Sequence, residues 1–164
     1  MGAVYEATQI ELSRRVALKV LEPGAGASLD AIAATAREAR AAAQLAHPHI
    51  VAVTDFSAGD GGPPFLVMEL LQGESLDERL ARVGRLAPEE AAFIAVQVLS
   101  ALGAAHGAGI VHRDVKPANV FLTRTAATHD FVRLLDFGVA WTFGPVASLR
   151  PHALPAGTPA YMAP

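Results

Sequence analysis

At 164 residues the chain has the length of one ordinary domain. A formal net charge of −3 gives no global attraction to nucleic acid or to an anionic membrane surface. The absence of cysteine excludes a disulfide framework and thiol chemistry. Residues 1–20 carry Glu6, Glu11, Arg14, Arg15 and Lys19 without a long apolar block, which is not the pattern of a signal peptide.

In chain order, Val4–Thr8 and Arg15–Leu21 read as two strands joined by a polar turn. A Gly/Pro-rich loop at 22–28 follows, and Ser28 is placed to cap an Ala-rich helix running to about Leu45. After His47-Pro48 come a strand near Ile50–Phe56, a Gly/Pro turn at 59–64 and a strand at Phe65–Leu70. A short helix is expected near Leu76–Val83, then a long one opened by Pro88. Short strands are expected at Val120–Leu122 and Val132–Leu135, and irregular chain at 139–158. The change from strands to helices near residue 73 divides the domain into 1–72 and 73–164.

Residues 91–111 contain no Asp, Glu, Lys or Arg and are long enough to span a bilayer. Gln97, His106 and three glycines interrupt the stretch, and its end runs into a polar string. It is therefore read as a buried helix, apolar on nearly all sides, with no membrane contact in this segment.

The polar string is His112-Arg113-Asp114-Val115-Lys116-Pro117-Ala118-Asn119, and Asp136-Phe137-Gly138 follows downstream. Together they supply a base (Asp114), a cation (Lys116) and two hard oxygen ligands for a divalent metal (Asn119, Asp136). Moving a phosphoryl group from a nucleotide to a hydroxyl needs these parts. Of 13 basic residues only Lys19 and Lys116 are lysines. A compact ammonium meets a phosphate differently from a planar guanidinium, so both positions draw notice. Scattered surface lysines in an Arg-biased chain are the other reading. Two histidines at His47 and His49, one residue apart, are a poor zinc site and read as structural.

The string and the Asp-Phe-Gly triplet fit the protein-kinase signature, and the chain resembles the Ser/Thr protein kinases of bacteria. The resemblance implies an α+β, two-lobed fold with an antiparallel-sheet N-lobe and a helical C-lobe. It implies ATP and Mg²⁺ as cofactors, a protein substrate with a Ser/Thr acceptor, no nucleic-acid partner and a cytoplasmic location. The parent protein could also be tethered to a membrane by a segment not present here.

By resemblance Asp114 takes the hydroxyl proton, Lys116 neutralises charge on the γ-phosphate, and Asn119 and Asp136 hold Mg²⁺. Thr158, in Gly157-Thr158-Pro159-Ala160-Tyr161-Met162-Ala163-Pro164, would touch Asp114 and Lys116 and help select the acceptor. Lys19, in Val16-Ala17-Leu18-Lys19-Val20, would reach the α/β-phosphates, held by Glu38. Alternation puts Ala17 and Lys19 on one face. A solvated Lys19 on an edge strand, and a surface Glu38 paired with Arg37 or Arg40, are the plainer readings. Met68 would guard the adenine pocket. Glu69 and Leu71 would bond adenine through their backbone, while Val4, Ala17 and Phe121 would sandwich it. Gly2 would be the last glycine of a Gly-rich loop. In relatives, the arginine at the Arg113 position can grip a phosphate on the activation loop. Ser148 is the better acceptor of Thr142 and Ser148, and Trp141 stands where a second basic residue is common.

The first strand and two loop glycines are missing from the pattern, as are the Glu after Pro164 and the helices beyond it. The expectation is a domain truncated at both ends, inactive by itself. A non-catalytic, nucleotide-binding pseudokinase or scaffold is the alternative.

Overall fold

The computed structural model describes residues 3–21, 43–57, 62–126, 128–136 and 158–161. Gly2, the helix capped by Ser28 with Glu38 in it, Phe137-Gly138, Trp141, Thr142, Ser148 and Met162–Pro164 lie outside the described residues. The chain divides into two units, residues 1–46 with 52–71, and residues 47–51 with 72–164.

The first unit is built on strands rich in β-branched and aromatic residues, which fit a pleated surface. Strands β1 (Val4–Gln9) and β2 (Arg14–Val20) form a hairpin across a 3₁₀ turn at Ile10–Leu12. Ser13 closes that turn in the left-handed region, at φ 47°. Strands β3 (Val53–Ser57) and β4 (Phe65–Glu69) complete an antiparallel sheet of order β1-β2-β4-β3. Central strand β4 buries Leu66, Val67 and Met68 in succession, as a strand covered on both faces does. Edge strand β1 leaves Val4 and Tyr5 exposed.

The second unit starts with β5 (Gly73–Ser75), which pairs with β6 (Val120–Thr123), itself paired with β7 (Phe131–Leu134). Ser75 then caps helix α1 (Leu76–Val83). Its hydroxyl accepts from Glu78 N–H at 3.1 Å, and the Glu78 carboxylate accepts from Ser75 N–H at 2.7 Å. This reciprocal box satisfies two donors that the first turn cannot pair internally. Helix α2 (Pro88–Gly107) opens with proline in its first turn, where no N–H is needed. Arg79 on α1 gathers three carboxylates: Glu74 of β5, Glu90 of α2, at 2.9 Å, and Asp130 before β7, at 3.0 Å.

Two expectations change. The strand near Ile50 begins only at Val53. Ile50 instead forms a parallel bridge with Leu134, so residues 47–51 belong to the second unit. Helix α2 is not buried all round. It buries the stripe Ile94, Gln97, Ala101 and Ala105, while Phe93, Val96 and Leu99 are 49%, 66% and 66% exposed. Among the described residues α2 is the one helix long and apolar enough to cross a membrane. Its buried stripe is instead tied to this unit, through Gln97 to the chain around β7.

Candidate active site

Pro117 sets the backbone for a 3₁₀ turn at Pro117–Asn119, closed by Asn119 N–H donating to Lys116 C=O at 2.9 Å. The turn folds Asn119 back toward Asp114. Asn119 Nδ2 donates to the Asp114 carbonyl at 2.7 Å and to Asp114 Oδ2 at 3.1 Å. With Nδ2 so committed, Oδ1 is the side-chain atom left to act as a ligand, and Asn119 itself is buried.

Asp114 is the centre of this cluster. Lys116 Nζ lies 2.8 Å from Oδ2, and the Thr158 hydroxyl donates to Oδ1 at 2.7 Å. Lys116 Nζ also donates to Thr158 Oγ1 at 2.9 Å, closing a triangle. The Asp114 side chain is 11% exposed and that of Lys116 25%. Burial pushes the Asp114 carboxyl up. The donors from Lys116 and Thr158, the Lys116 charge and the Asn119 amide outweigh it and hold the group below the ordinary carboxylate range. Asp114 is therefore an anion at neutral pH, with both oxygens aimed by their partners.

His112 supports the loop from beneath. It is 1% exposed, with Nε2 2.8 Å from the Leu135 carbonyl and Nδ1 3.3 Å from the Asp114 amide. A carbonyl can only accept and an amide N–H can only donate, so the pair selects the neutral tautomer protonated at Nε2. Burial lowers the His112 pKa, in agreement with that assignment. Arg113, at φ 64°, takes the left-handed turn between these two residues.

Asp136 reaches the same region through Leu135. Leu135 N–H donates to the Asn119 carbonyl at 2.8 Å, while the Leu135 carbonyl accepts from His112. Asp136 follows in the left-handed region at φ 50°, a conformation that costs a non-glycine residue about 1 kcal/mol or more. Among the described residues no three His, Cys, Asp or Glu side chains converge. A carboxylate with a carboxamide oxygen suits Mg²⁺, which binds few protein ligands and keeps waters and phosphate oxygens.

The remaining sequence candidates divide between the units. In the first, Val4 pairs with Lys19 and Ala17 with Met68, so four candidates occupy adjoining register positions. At the end of β4, Glu69 N–H donates to Ala52 C=O at 3.0 Å and its carboxylate accepts from Ala52 N–H at 2.8 Å. Leu71 lies two residues beyond β4, at the end of the unit. In the second unit, Phe121 lies in β6 opposite Ser75. Gly2 and Glu38 are outside the described residues.

Three contributors escape sequence reasoning. Leu135 acts through backbone atoms alone. Gly73, at φ 151°, admits the Leu122 carbonyl where any Cβ would sit. Gln97 shows in sequence only as a polar interruption in an apolar run.

Residues 1–164 match the protein kinase domain family. The chain is 40% identical over its full length to the serine/threonine-protein kinase pkn3 of Myxococcus xanthus, of which it spans 30%. It is likewise 40% identical over its full length to PknA of Mycobacterium tuberculosis, of which it spans 38%. Among solved structures, the PknI kinase domain of Mycobacterium tuberculosis aligns at TM-score 0.71 and 36% identity, covering 84% of this chain and 55% of that one. Rad53 residues 1–466 in complex with AMP-PNP align at TM-score 0.72 and 28% identity, covering 84% and 34%. With the Asp114 cluster, the antiparallel sheet and a family match spanning every residue, the chain belongs to the protein kinase family.

Proposed function

We propose that the protein transfers the γ-phosphoryl group of ATP to Ser and Thr hydroxyls of protein substrates, in the cytoplasm. The observation that carries this reading is the closed contact of Asp114, Lys116, Asn119 and Thr158. Asp114 Oδ1 and Oδ2 are held as acceptors, which suits them to orient an incoming hydroxyl and to take its proton. The lowered pKa makes Asp114 a weak base. It therefore receives the proton late, as the oxygen bonds to phosphorus and the hydroxyl becomes acidic, in keeping with a loose transition state. Lys116 supplies a cation beside the same point. Thr158 donates to the base and accepts from the lysine, so it fixes both and borders the space an acceptor side chain would enter.

Asn119 Oδ1 and the Asp136 carboxylate are the residues that would hold Mg²⁺, which when bound neutralises developing charge on the phosphates. The first unit supplies the nucleotide contacts in this proposal. Lys19, oriented by Glu38, serves the α/β-phosphates. By the resemblance to kinases, Val4, Ala17, Met68 and Phe121 serve the adenine, as do backbone groups of Glu69 and Leu71, and Gly2 serves the phosphate loop. A structural neighbour solved with AMP-PNP, an ATP analogue, supports nucleotide binding as such.

The test is transfer of labelled phosphate from ATP to a generic protein acceptor by the intact protein. Asp114→Ala should lower transfer by about 10²-fold or more with ATP affinity unchanged, since a positioned base contributes about 10²–10⁴-fold. Undiminished transfer in that variant would remove Asp114 from its role. ATP binding without transfer in the unmodified protein would favour a nucleotide-binding scaffold instead.

A further inference from the structure

We propose that Gln97, buried in the middle of α2, is a positioning residue that fixes the candidate Mg²⁺ ligands Asn119 and Asp136 by completing the outer edge of β7. The inference rests on the kinase reading of those two ligands.

Strand β7 pairs with β6 on one side only. The backbone groups of Asp130, Val132 and Leu134 point to the other side, where a further strand would ordinarily satisfy them. No strand lies there among the described residues, yet five consecutive groups have partners. Gln97 Nε2 donates to Asp130 C=O at 2.9 Å, and Gln97 Oε1 accepts from Val132 N–H at 3.0 Å. His49 Nδ1 is 3.1 Å from the Val132 carbonyl. Leu134 N–H donates to His49 C=O at 2.8 Å, and Val51 N–H donates to Leu134 C=O at 3.1 Å. The last two bonds are the parallel bridge at Ile50. The Gln97 carboxamide extends that parallel pattern by supplying the donor and the acceptor that the N–H and C=O of one residue in a parallel strand would supply.

Residue chemistry makes this a demanding position. Gln97 is 7% exposed within a helix whose other buried residues are Ile94, Ala101 and Ala105. An apolar substitute takes these partners from the buried N–H of Val132 and the half-buried C=O of Asp130. Asparagine is one methylene too short to reach both. An ionised glutamate would set a negative charge against the carbonyls of Asp130 and Phe93, which Gln97 Nε2 now serves.

The clamp acts three residues from the site. Val132 is followed by Arg133, Leu134 and Leu135. Leu135 N–H is bonded to the carbonyl of Asn119, and its own carbonyl is bonded to His112. Asp136 comes next. Slippage of β7 along its outer edge would displace both candidate ligands together, although Gln97 touches neither.

The experiment compares Gln97→Met with Ile94→Ala, a cavity-forming change on the same buried stripe that leaves the β7 bonds intact. The first readout is amide hydrogen exchange at Leu135 in the ligand-free protein. The second is the Mg²⁺ concentration giving half-maximal AMP-PNP binding. Gln97→Met should speed exchange at Leu135 by about tenfold or more and raise the Mg²⁺ midpoint by about fivefold or more. Nucleotide affinity without Mg²⁺ should stay within about twofold. Ile94→Ala should lower the melting temperature and leave both readouts near those of the unmodified protein. If Gln97→Met does not melt cooperatively, Gln97→Asn is judged by the same two readouts. Unchanged Leu135 exchange and Mg²⁺ midpoint, or an equal rise in both with Ile94→Ala, would overturn the proposal. Failure of the unmodified protein to bind Mg²⁺ and nucleotide would overturn it together with the kinase reading. The exchange result at Leu135 would separately show whether the strand clamp exists.

Discussion

The hydroxyl of Thr158 donates to Asp114 Oδ1 across 2.7 Å, joining residues 44 positions apart in the chain. Thr158 Oγ1 in turn accepts from Lys116 Nζ at 2.9 Å, so one hydroxyl orients both the anion and the cation of the cluster. Thr158→Ala removes a donor to a charged acceptor, a bond of about 1.5–3 kcal/mol, and should lower phosphotransfer about 10- to 100-fold. ATP affinity should hold, and Thr158→Ser should restore most of the rate because the hydroxyl remains. Equal impairment in Thr158→Ser would mean that the methyl group, not the hydroxyl, matters.

Gly73 has no alternative at its position. An added Cβ would lie 2.0 Å from the Leu122 carbonyl oxygen and 3.2 Å from Phe121 Cε1, at a φ of 151°. Backbone, not a flexible side chain, is in the way, so β5 must separate from β6. Gly73→Ala should destabilise by about 2 kcal/mol or more. Gly84, which ends α1 at φ 78°, has nothing within 4 Å of its added Cβ. Its alanine variant should lose only about 1 kcal/mol, the strain of the left-handed backbone. Chemical denaturation of both variants measures the contrast, and equal losses would place the strain in the backbone alone.

Arg79 faces the carboxylates of Glu74, Glu90 and Asp130, and its side chain is 18% exposed. The hydrogen bond it donates to Glu74 heads the causes that raise its pKa, with Asp130 adding to it against burial. Arg79→Met would take this cation from Glu90 and Asp130 and leave Glu74 only its bond with Arg82. The melting temperature should fall by about 4 °C or more at pH 7, and by less in acid that protonates Glu74, whose pKa its bond with Arg79 holds below the ordinary 4.5. Arg79→Lys should recover only part of the loss, because an ammonium lacks the planar fork that reaches several partners. A deficit independent of pH would point to lost packing.

Local patterns were legible in the sequence where local physics governs. Strand β2 lies within a residue of the expected Arg15–Leu21, and helix α1 spans the expected Leu76–Val83. The His112–Asn119 string is contiguous, so its turn is set by Pro117 and its own side chains. The parts not legible depend on distant partners. Three-residue β5 has a glycine and two polar residues, and exists because Gly73 lets it approach β6. Ile50 looked like the start of β3, but the open edge of β7 drew it into a bridge. Gln97 looked like an interruption of a buried helix, whereas its amide meets the backbone of Asp130 and Val132. Apolar composition alone could not reveal that Val96 and Leu99 stay exposed on the same helix.

Acid should weaken the fold in two stages. Burial lowers the His112 pKa below the ordinary histidine value of 6.5, despite the Leu135 carbonyl and nearby acids that favour the charged form. The unfolded chain then binds more protons than the folded one at pH just below 6.5, so stability falls as pH drops through that window. His47 adds in the same sense, its pKa lowered by burial and by His49. Asp114 acts further down. Burial raises its pKa, but Lys116, Thr158 and Asn119 leave it below the ordinary 3.8. Its contribution is present above that value and is lost as pH falls through the lower, folded-state pKa. Melting temperature measured from pH 8 to pH 3 should therefore decline first below about pH 6.5 and again below about pH 4. His112→Gln retains a neutral side chain and cannot be protonated, so it should flatten the upper decline to the part owed to His47. The lower decline should persist in that variant. An upper decline as steep in His112→Gln as in the unmodified protein would show that the buried imidazole does not control it.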